Sequence, residues 1–168
     1  NEVWLELGLQ SSFDDTLERV RRGHDYASYQ DAIRRCRAFG VPVCTHLIVG
    51  LPGETASHAQ QTLARVLDDG VQGLKLHPLM IVRGSQMAAA WQRGEIAPMP
   101  LDEYADIATE LIRQTPLEVV YHRISANAHR ETLLAPEWCA SRWPALQAIH
   151  DRLAQRGGQG SACHIQKP

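Results

Sequence analysis

Hydrophobic positions along this chain switch between two periods. Over residues 3–9 they alternate, with Leu5, Leu7 and Leu9 on one face and Glu6, Gly8 and Gln10 on the other, which is the pattern of a strand. Ser11, Ser12, Asp14 and Asp15 then offer capping oxygens before a short helix over 16–21, ended by Gly23. Ser28, with Asp31 three residues on, predicts the start of a second helix. That helix carries Tyr29, Ala32, Ile33, Cys36 and Phe39 on a 3.6-residue stripe and stops at Gly40. A strand over 41–49 follows, and Gly50-Leu51-Pro52-Gly53 forces a turn.

The alternation continues. A helix over 57–68 places Ala59, Leu63, Val66 and Leu67 on one side, and a strand over 73–79 comes next. Arg83, Gly84 and Ser85 lead into a helix around 86–92, and Pro98 and Pro100 break the chain. A helix over 102–113 buries Tyr104, Ile107, Ala108, Leu111 and Ile112, followed by a strand over 117–122. Residues 123–139 look irregular, 144–156 helical, and the Gly-rich polar tail from 157 is expected to be disordered. Strands alternating with helices predict an α/β fold with a parallel sheet. The organisation expected is a partial barrel over 1–122, a loop and helix extension over 123–156, and a tail over 157–168.

Parity within the strands carries the functional information. Leu47 and Val49 oppose Cys44, His46 and Ile48; Leu74 and Leu76 oppose Lys75 and His77; Val119 and Tyr121 oppose Glu118, Val120 and His122. A parallel sheet with helices on both faces reads as nearly continuous apolar runs. Here one face is apolar and the other is studded with charge. A partial (β/α) barrel enclosing something polar accounts for this, with a half-solvated open sheet as the alternative. In a barrel the site lies at the C-terminal ends of the strands, at Gln10, the Gly50–Glu54 turn and His77.

Charge and cysteines narrow the picture. Formal net charge is −2 with no run of one sign, so nothing points to an extended nucleic-acid or membrane surface. Apolar runs are only strand-sized, which argues against a transmembrane helix. The four cysteines, Cys36, Cys44, Cys139 and Cys163, form no CxxC and fit neither a zinc site nor a disulfide framework. Reduced thiols in a cytoplasmic protein are expected. The chain opens on Asn1 without Met, at the edge of a strand pattern, and reads as a segment of a longer protein.

Three ordered segments resemble a radical S-adenosylmethionine (radical SAM) barrel. They are Glu6-Leu7-Gly8-Leu9-Gln10-Ser11 with Arg21-Arg22-Gly23-His24, then His46-Leu47-Ile48-Val49-Gly50-Leu51-Pro52-Gly53-Glu54, then Lys75-Leu76-His77-Pro78-Leu79 with Arg83-Gly84-Ser85. The likeness spans nearly the whole chain. It is to the subgroup of oxygen-independent coproporphyrinogen oxidases and the Elongator catalytic subunit, and in particular to bacterial YhcC-type proteins.

The resemblance implies a (β/α) barrel, S-adenosylmethionine as cofactor and a [4Fe–4S] cluster whose three cysteines would lie outside this chain. It implies reductive cleavage to a 5′-deoxyadenosyl radical, an electron donor, and a substrate that the sequence does not identify. Transfer RNA enters only by family analogy. On this resemblance Gln10 would hold the ribose or amino-acid part of the cofactor. Arg22, with Arg21 as competitor, would pair with its carboxylate. Ile48 with Gly50, Leu51 and Pro52 would back the adenine, while Glu6, His46, Lys75 and His77 would line the interior.

Each residue has a plainer use as well. Arg21 or Arg22 serves equally as a solvated helix-end cation, His46 as a core histidine, and Glu6–Lys75 as a structural ion pair. His122, Arg123 and His129 are weaker candidates. No metal ligand is assigned in this chain. Two other functions stay open: a different barrel enzyme holding phosphate on the Gly50–Glu54 turn, and a non-catalytic interaction module on a relict barrel.

Overall fold

A computed structural model describes residues 3–163. Strands β1 (Leu5–Gln10), β2 (Val43–Val49), β3 (Gly73–Pro78) and β5 (Val120–Arg123) form one parallel sheet in the order β1-β2-β3-β5. Helices α1 (Asp14–Arg19), α2 (Tyr26–Ala38), α3 (Ala56–Asp68) and α5 (Leu101–Gln114) connect them. This is the partial (β/α) barrel that the pattern predicts. A two-stranded antiparallel sheet of β4 (Ile81–Val82) and β6 (Leu133–Ala135) forms a second layer with α4 (Gln86–Gln92). A 3₁₀ turn (Glu137–Ala140) and helix α6 (Trp143–Arg156) complete the fold.

The main apolar core lies on one side of the large sheet. Leu9, Leu47, Val49, Leu74 and Leu76 pack with Ile33 of α2, Leu63 and Val66 of α3, and Tyr104, Ala108 and Leu111 of α5. Helix α6 backs α5 through Ala145 and Ile149, which are fully buried. The sheet's other side carries Glu6, His46, Lys75 and His77, as strand parity requires.

Several local expectations are revised. Asp25, not Ser28, caps α2: its carboxylate accepts the Ser28 amide at 2.8 Å, leaving Ser28 inside the first turn. Phe39 falls just past the last turn of α2 and is 85% exposed, so the helical stripe ends at Cys36. The strand expected over 117–122 starts only at Val120, because Val119 closes a turn onto the Pro116 carbonyl. The stretch 123–139 holds β6 and most of the 3₁₀ turn, since β6 pairs with β4, more than 50 residues earlier, and leaves no local period. The tail does not peel away at Gly157. Gln159 donates to the Pro116 and Val119 carbonyls at 2.7 and 2.8 Å, and the Ala162 amide donates to the Arg113 carbonyl at 2.9 Å. The rest of the predicted tail, 164–168, lies outside the described residues.

Candidate cofactor and substrate site

At the top of β1 the backbone departs from a regular strand. The β1–β2 register slips between Gly8 and Gln10, and Gln10 adopts φ 78°, a left-handed conformation that non-glycine residues rarely hold. Gly8 makes the space that this bulge uses. A Cβ there would stand 2.7 Å from Arg22 Nη2 and 2.9 Å from Gln10 Nε2. The missing side chain thus lets a guanidinium and an amide converge over one point of the strand. Arg22 is oriented by the Gly8 carbonyl, which accepts from its Nε at 3.0 Å and its Nη2 at 2.6 Å, with His24 Nε2 at 3.2 Å.

The turn after β2 is built for close approach. Gly50 has φ 92° and Gly53 φ 83°. Met99 packs where a Gly50 side chain would be, at 3.3 Å. Leu51 is 3% exposed, so it anchors the turn in the fold between the more open Gly50 and Pro52. Arg19 donates to the Pro52 carbonyl at 2.7 Å, and Ser11 donates to the Glu54 carboxylate at 2.5 Å. Gln10, Ile48 and Glu54 border the same small cavity, which links the top of β1 to the turn.

Across the polar face, Glu6 is the hub. Its carboxylate accepts from Lys75 Nζ and lies 3.0 Å from His46 Nε2. The Lys75 hydrogen bond holds the Glu6 carboxyl below its ordinary range. His46 is shifted down chiefly by burial, against the pull of Glu6. It is therefore a neutral imidazole that donates Nε2–H to Glu6, and Lys75 is the charged partner. His46 and His77 stack with ring centroids 5.5 Å apart. His77 Nε2 is buried and has no hydrogen-bond partner among the described residues. Burial, with Arg123 adding repulsion, pushes the His77 imidazole down to about 4.

His77 therefore links stability to acid. The ordinary imidazole value is 6.5. As pH falls from there to about 4, the unfolded chain takes up a proton that the folded chain refuses. Stability is complete above that window and declines across it by about 1–3 kcal/mol, allowing for partial exposure. Urea midpoints from pH 7.5 to 4 are expected to fall, and to fall less steeply in His77→Gln. Parallel slopes for the two proteins would remove His77 as the source.

The remaining sequence candidates fall elsewhere. His122 packs edge-on against Trp4 at 4.6 Å and covers Gly73 at the N-terminal end of β3. His129 is exposed beside Glu131. Burial pushes the Cys44 thiol up to about 11, which keeps it protonated at neutral pH. Among the described residues no group of three His, Cys, Asp or Glu is placed to hold a metal ion. No helix among them is long and apolar enough to cross a membrane.

A family model for the Radical SAM superfamily matches residues 1–66, and one for the Radical_SAM C-terminal domain matches residues 71–155. The chain belongs to the radical SAM superfamily. Protein YhcC of Escherichia coli (strain K12) is 55% identical over 96% of this chain and 52% of its own length. A tRNA uridine(34) acetyltransferase of Dehalococcoides mccartyi (strain CBDB1) is 29% identical over 71% of this chain and 27% of its own. The solved structure of archaeal Methanocaldococcus infernus Elp3 with an N-terminal deletion superposes with TM-score 0.81 at 20% identity. It covers 94% of this chain and 37% of that one, and it shows the shared fold. The chain spans about half the length of its YhcC relative.

Within this radical SAM fold the structure gathers the sequence candidates into two groups rather than one. Gln10 and Arg22 meet over Gly8, while Glu6, His46, Lys75 and His77 form a continuous strip across the sheet. The Gly50-Leu51-Pro52 turn is braced by Arg19, a residue that was not among the sequence candidates. Gly8 was also passed over. Its signal was present in the sequence: a glycine between Glu6 and Gln10 on the charged face of a strand.

Proposed function

We propose that this chain is the cofactor-side portion of a radical SAM enzyme. The observation that carries it is the convergence of Arg22 and Gln10 over Gly8, beside a glycine-rich turn of the same sheet. A guanidinium and an amide meeting over a bare strand suit the carboxylate and hydroxyls of S-adenosylmethionine. The turn of Gly50, Leu51 and Pro52, partly open at Gly50 and Pro52, with Ile48 of the same strand end, suits a flat adenine. When bound beside a reduced [4Fe–4S] cluster, the cofactor supplies a hydrogen-abstracting 5′-deoxyadenosyl radical.

This chain's own residues then bind and orient. Arg22, fixed by the Gly8 carbonyl, holds the carboxylate in one geometry. Glu6, His46, Lys75 and His77 face the substrate, with Lys75 positioned by Glu6. His77 offers a neutral ring nitrogen that is unpaired among the described residues. On this reading the cluster's cysteines lie outside this chain, and the 168-residue chain alone is expected to be inactive. A cytoplasmic enzyme with an external electron donor fits this chemistry, and the acetyltransferase relative makes transfer RNA a substrate to test. The phosphate reading of the Gly50–Glu54 turn is disfavoured by the Glu54 carboxylate fixed at its end.

The test is direct. A protein extended to the length of the YhcC relative, reconstituted with iron and sulfide under anaerobic reducing conditions, is expected to form 5′-deoxyadenosine from S-adenosylmethionine. The 168-residue chain treated in the same way is expected to form none. A reconstituted extended protein with no iron–sulfur absorbance and no 5′-deoxyadenosine would falsify the proposal.

A further inference from the structure

A larger cleft lies outside both groups of site residues. It opens between the turn that joins α1 to α2 and the start and end of α4, and encloses about 640 Å³. Its charged lining is Arg19, Arg21, Arg93 and Glu95, three cations to one carboxylate in a chain whose formal net charge is −2. Met87, Ala90 and Ile96 supply an apolar wall. That volume and that mixture of apolar wall and converging charge are those of a small-ligand site.

The backbone explains how neighbouring arginines come to serve different sites. Arg21 has φ 53°, a left-handed conformation unusual for a residue with a side chain. The reversal sends Arg22 to the Gly8 carbonyl and leaves Arg21 in the cleft. Arg21 has no side-chain hydrogen bond or ion pair among the described residues, and a glycine would hold this turn with less strain. Arg93 is held by a two-point pair with Glu95, Nε at 2.6 Å and Nη2 at 2.8 Å. Arg19 is fixed by the Pro52 carbonyl through Nη1, at 2.7 Å. Two of the three guanidinium groups are thus pre-oriented and the third is free.

We propose that this cleft binds a ligand through its phosphate groups, with Arg21 and Arg93 as the principal contacts and Arg19 as the third. Guanidinium groups converging on one space match phosphate oxygens in charge and in hydrogen-bond geometry. The cleft adjoins the proposed cofactor turn at Pro52, but Arg93 has no part in the cofactor reading, and it is Arg22 rather than its competitor Arg21 that lies at Gly8. The shared chemistry is a phosphate ester or anhydride, and its source is either a small phosphorylated molecule or a nucleic-acid strand.

Binding of inorganic pyrophosphate, by calorimetry, and of a fluorescein-labelled oligouridylate, by anisotropy, separates the two sources at fixed low salt. Either probe binding the wild-type chain with the variant pattern below supports the site, and the tighter of the two names the source. Arg21→Gln is expected to weaken that binding about tenfold and Arg21→Gln/Arg93→Gln about a hundredfold. Arg34→Gln, on the exposed face of α2, is expected to leave it unchanged. Arg21→Gly is expected to raise the thermal midpoint while weakening binding, which distinguishes a lost contact from a damaged fold. Neither probe binding, equal binding by wild type and the double variant, or an equal loss in Arg34→Gln overturns the proposal. So does an equal loss of S-adenosylmethionine affinity in extended, reconstituted Arg21→Gln, since that would place the arginine in the cofactor site.

Discussion

Alanine at Gly8 is expected to weaken S-adenosylmethionine binding by one to two orders of magnitude while leaving the fold standing. The added methyl would come within 2.7 Å of Arg22 Nη2 and 2.9 Å of Gln10 Nε2. Both atoms are the far ends of flexible side chains, so they swing away at small cost. Gly8 lies in a strand and does not use a left-handed backbone, and alanine costs less conformational entropy there than glycine. What is lost is the convergence of two donors. Charge-assisted hydrogen bonds contribute about 1.5–3 kcal/mol, which corresponds to a change of roughly 10- to 100-fold. Calorimetric titration of the extended, reconstituted protein reads the affinity, and thermal unfolding reads the fold. Unchanged affinity in Gly8→Ala would show that Arg22 and Gln10 do not clamp the cofactor. Arg22→Gln is a poorer test, because it also strips two donors from the Gly8 carbonyl.

The largest effect on stability is expected at Tyr104. Its side chain is fully buried in α5, its hydroxyl donates to the Ile124 carbonyl at 2.8 Å, and its ring lies 5.3 Å from that of Trp138. Trp138 Nε1 donates to the Met99 carbonyl at 3.0 Å, and the Met99 side chain backs Gly50. A buried aromatic ring in α5 thus supports the glycine turn through two intermediate residues. Tyr104→Ala is expected to cost about 3–5 kcal/mol in urea unfolding, and Tyr104→Phe about 1 kcal/mol for the hydroxyl alone. A loss below about 1 kcal/mol in Tyr104→Ala would show that the local packing collapses to fill the space.

Much of this architecture was legible in the sequence because strand parity and helix period are local properties. Leu47, Val49, Leu74 and Leu76 could face only one way once Lys75 and His77 were assigned to the other. The same parity named Glu6, His46, Lys75 and His77 as one polar surface. It allowed a Glu6–Lys75 ion pair but could not show that Glu6 also meets His46, because such contacts depend on register between strands 40 and 69 positions apart. The pairing of β4 with β6 escaped for the same reason, since a two-residue strand has no period to read. The order of the two arginines was equally hidden. Nothing in Arg21-Arg22 says which one turns toward β1, and the answer lies in a single positive φ.

Among the described residues the outer edge of β1 is closed at one point, the Gly8 carbonyl. The Gly8 carbonyl points away from β2 and is already saturated by Arg22 and His24. A strand added along that edge can therefore form a ladder as far as Glu6 and must part from β1 above it. Two chains meeting edge to edge would share only the lower half of the strand, which limits runaway sheet extension at this side. The same cap leaves a wedge-shaped opening beside the guanidinium, where a small molecule, rather than more polypeptide, meets the sheet.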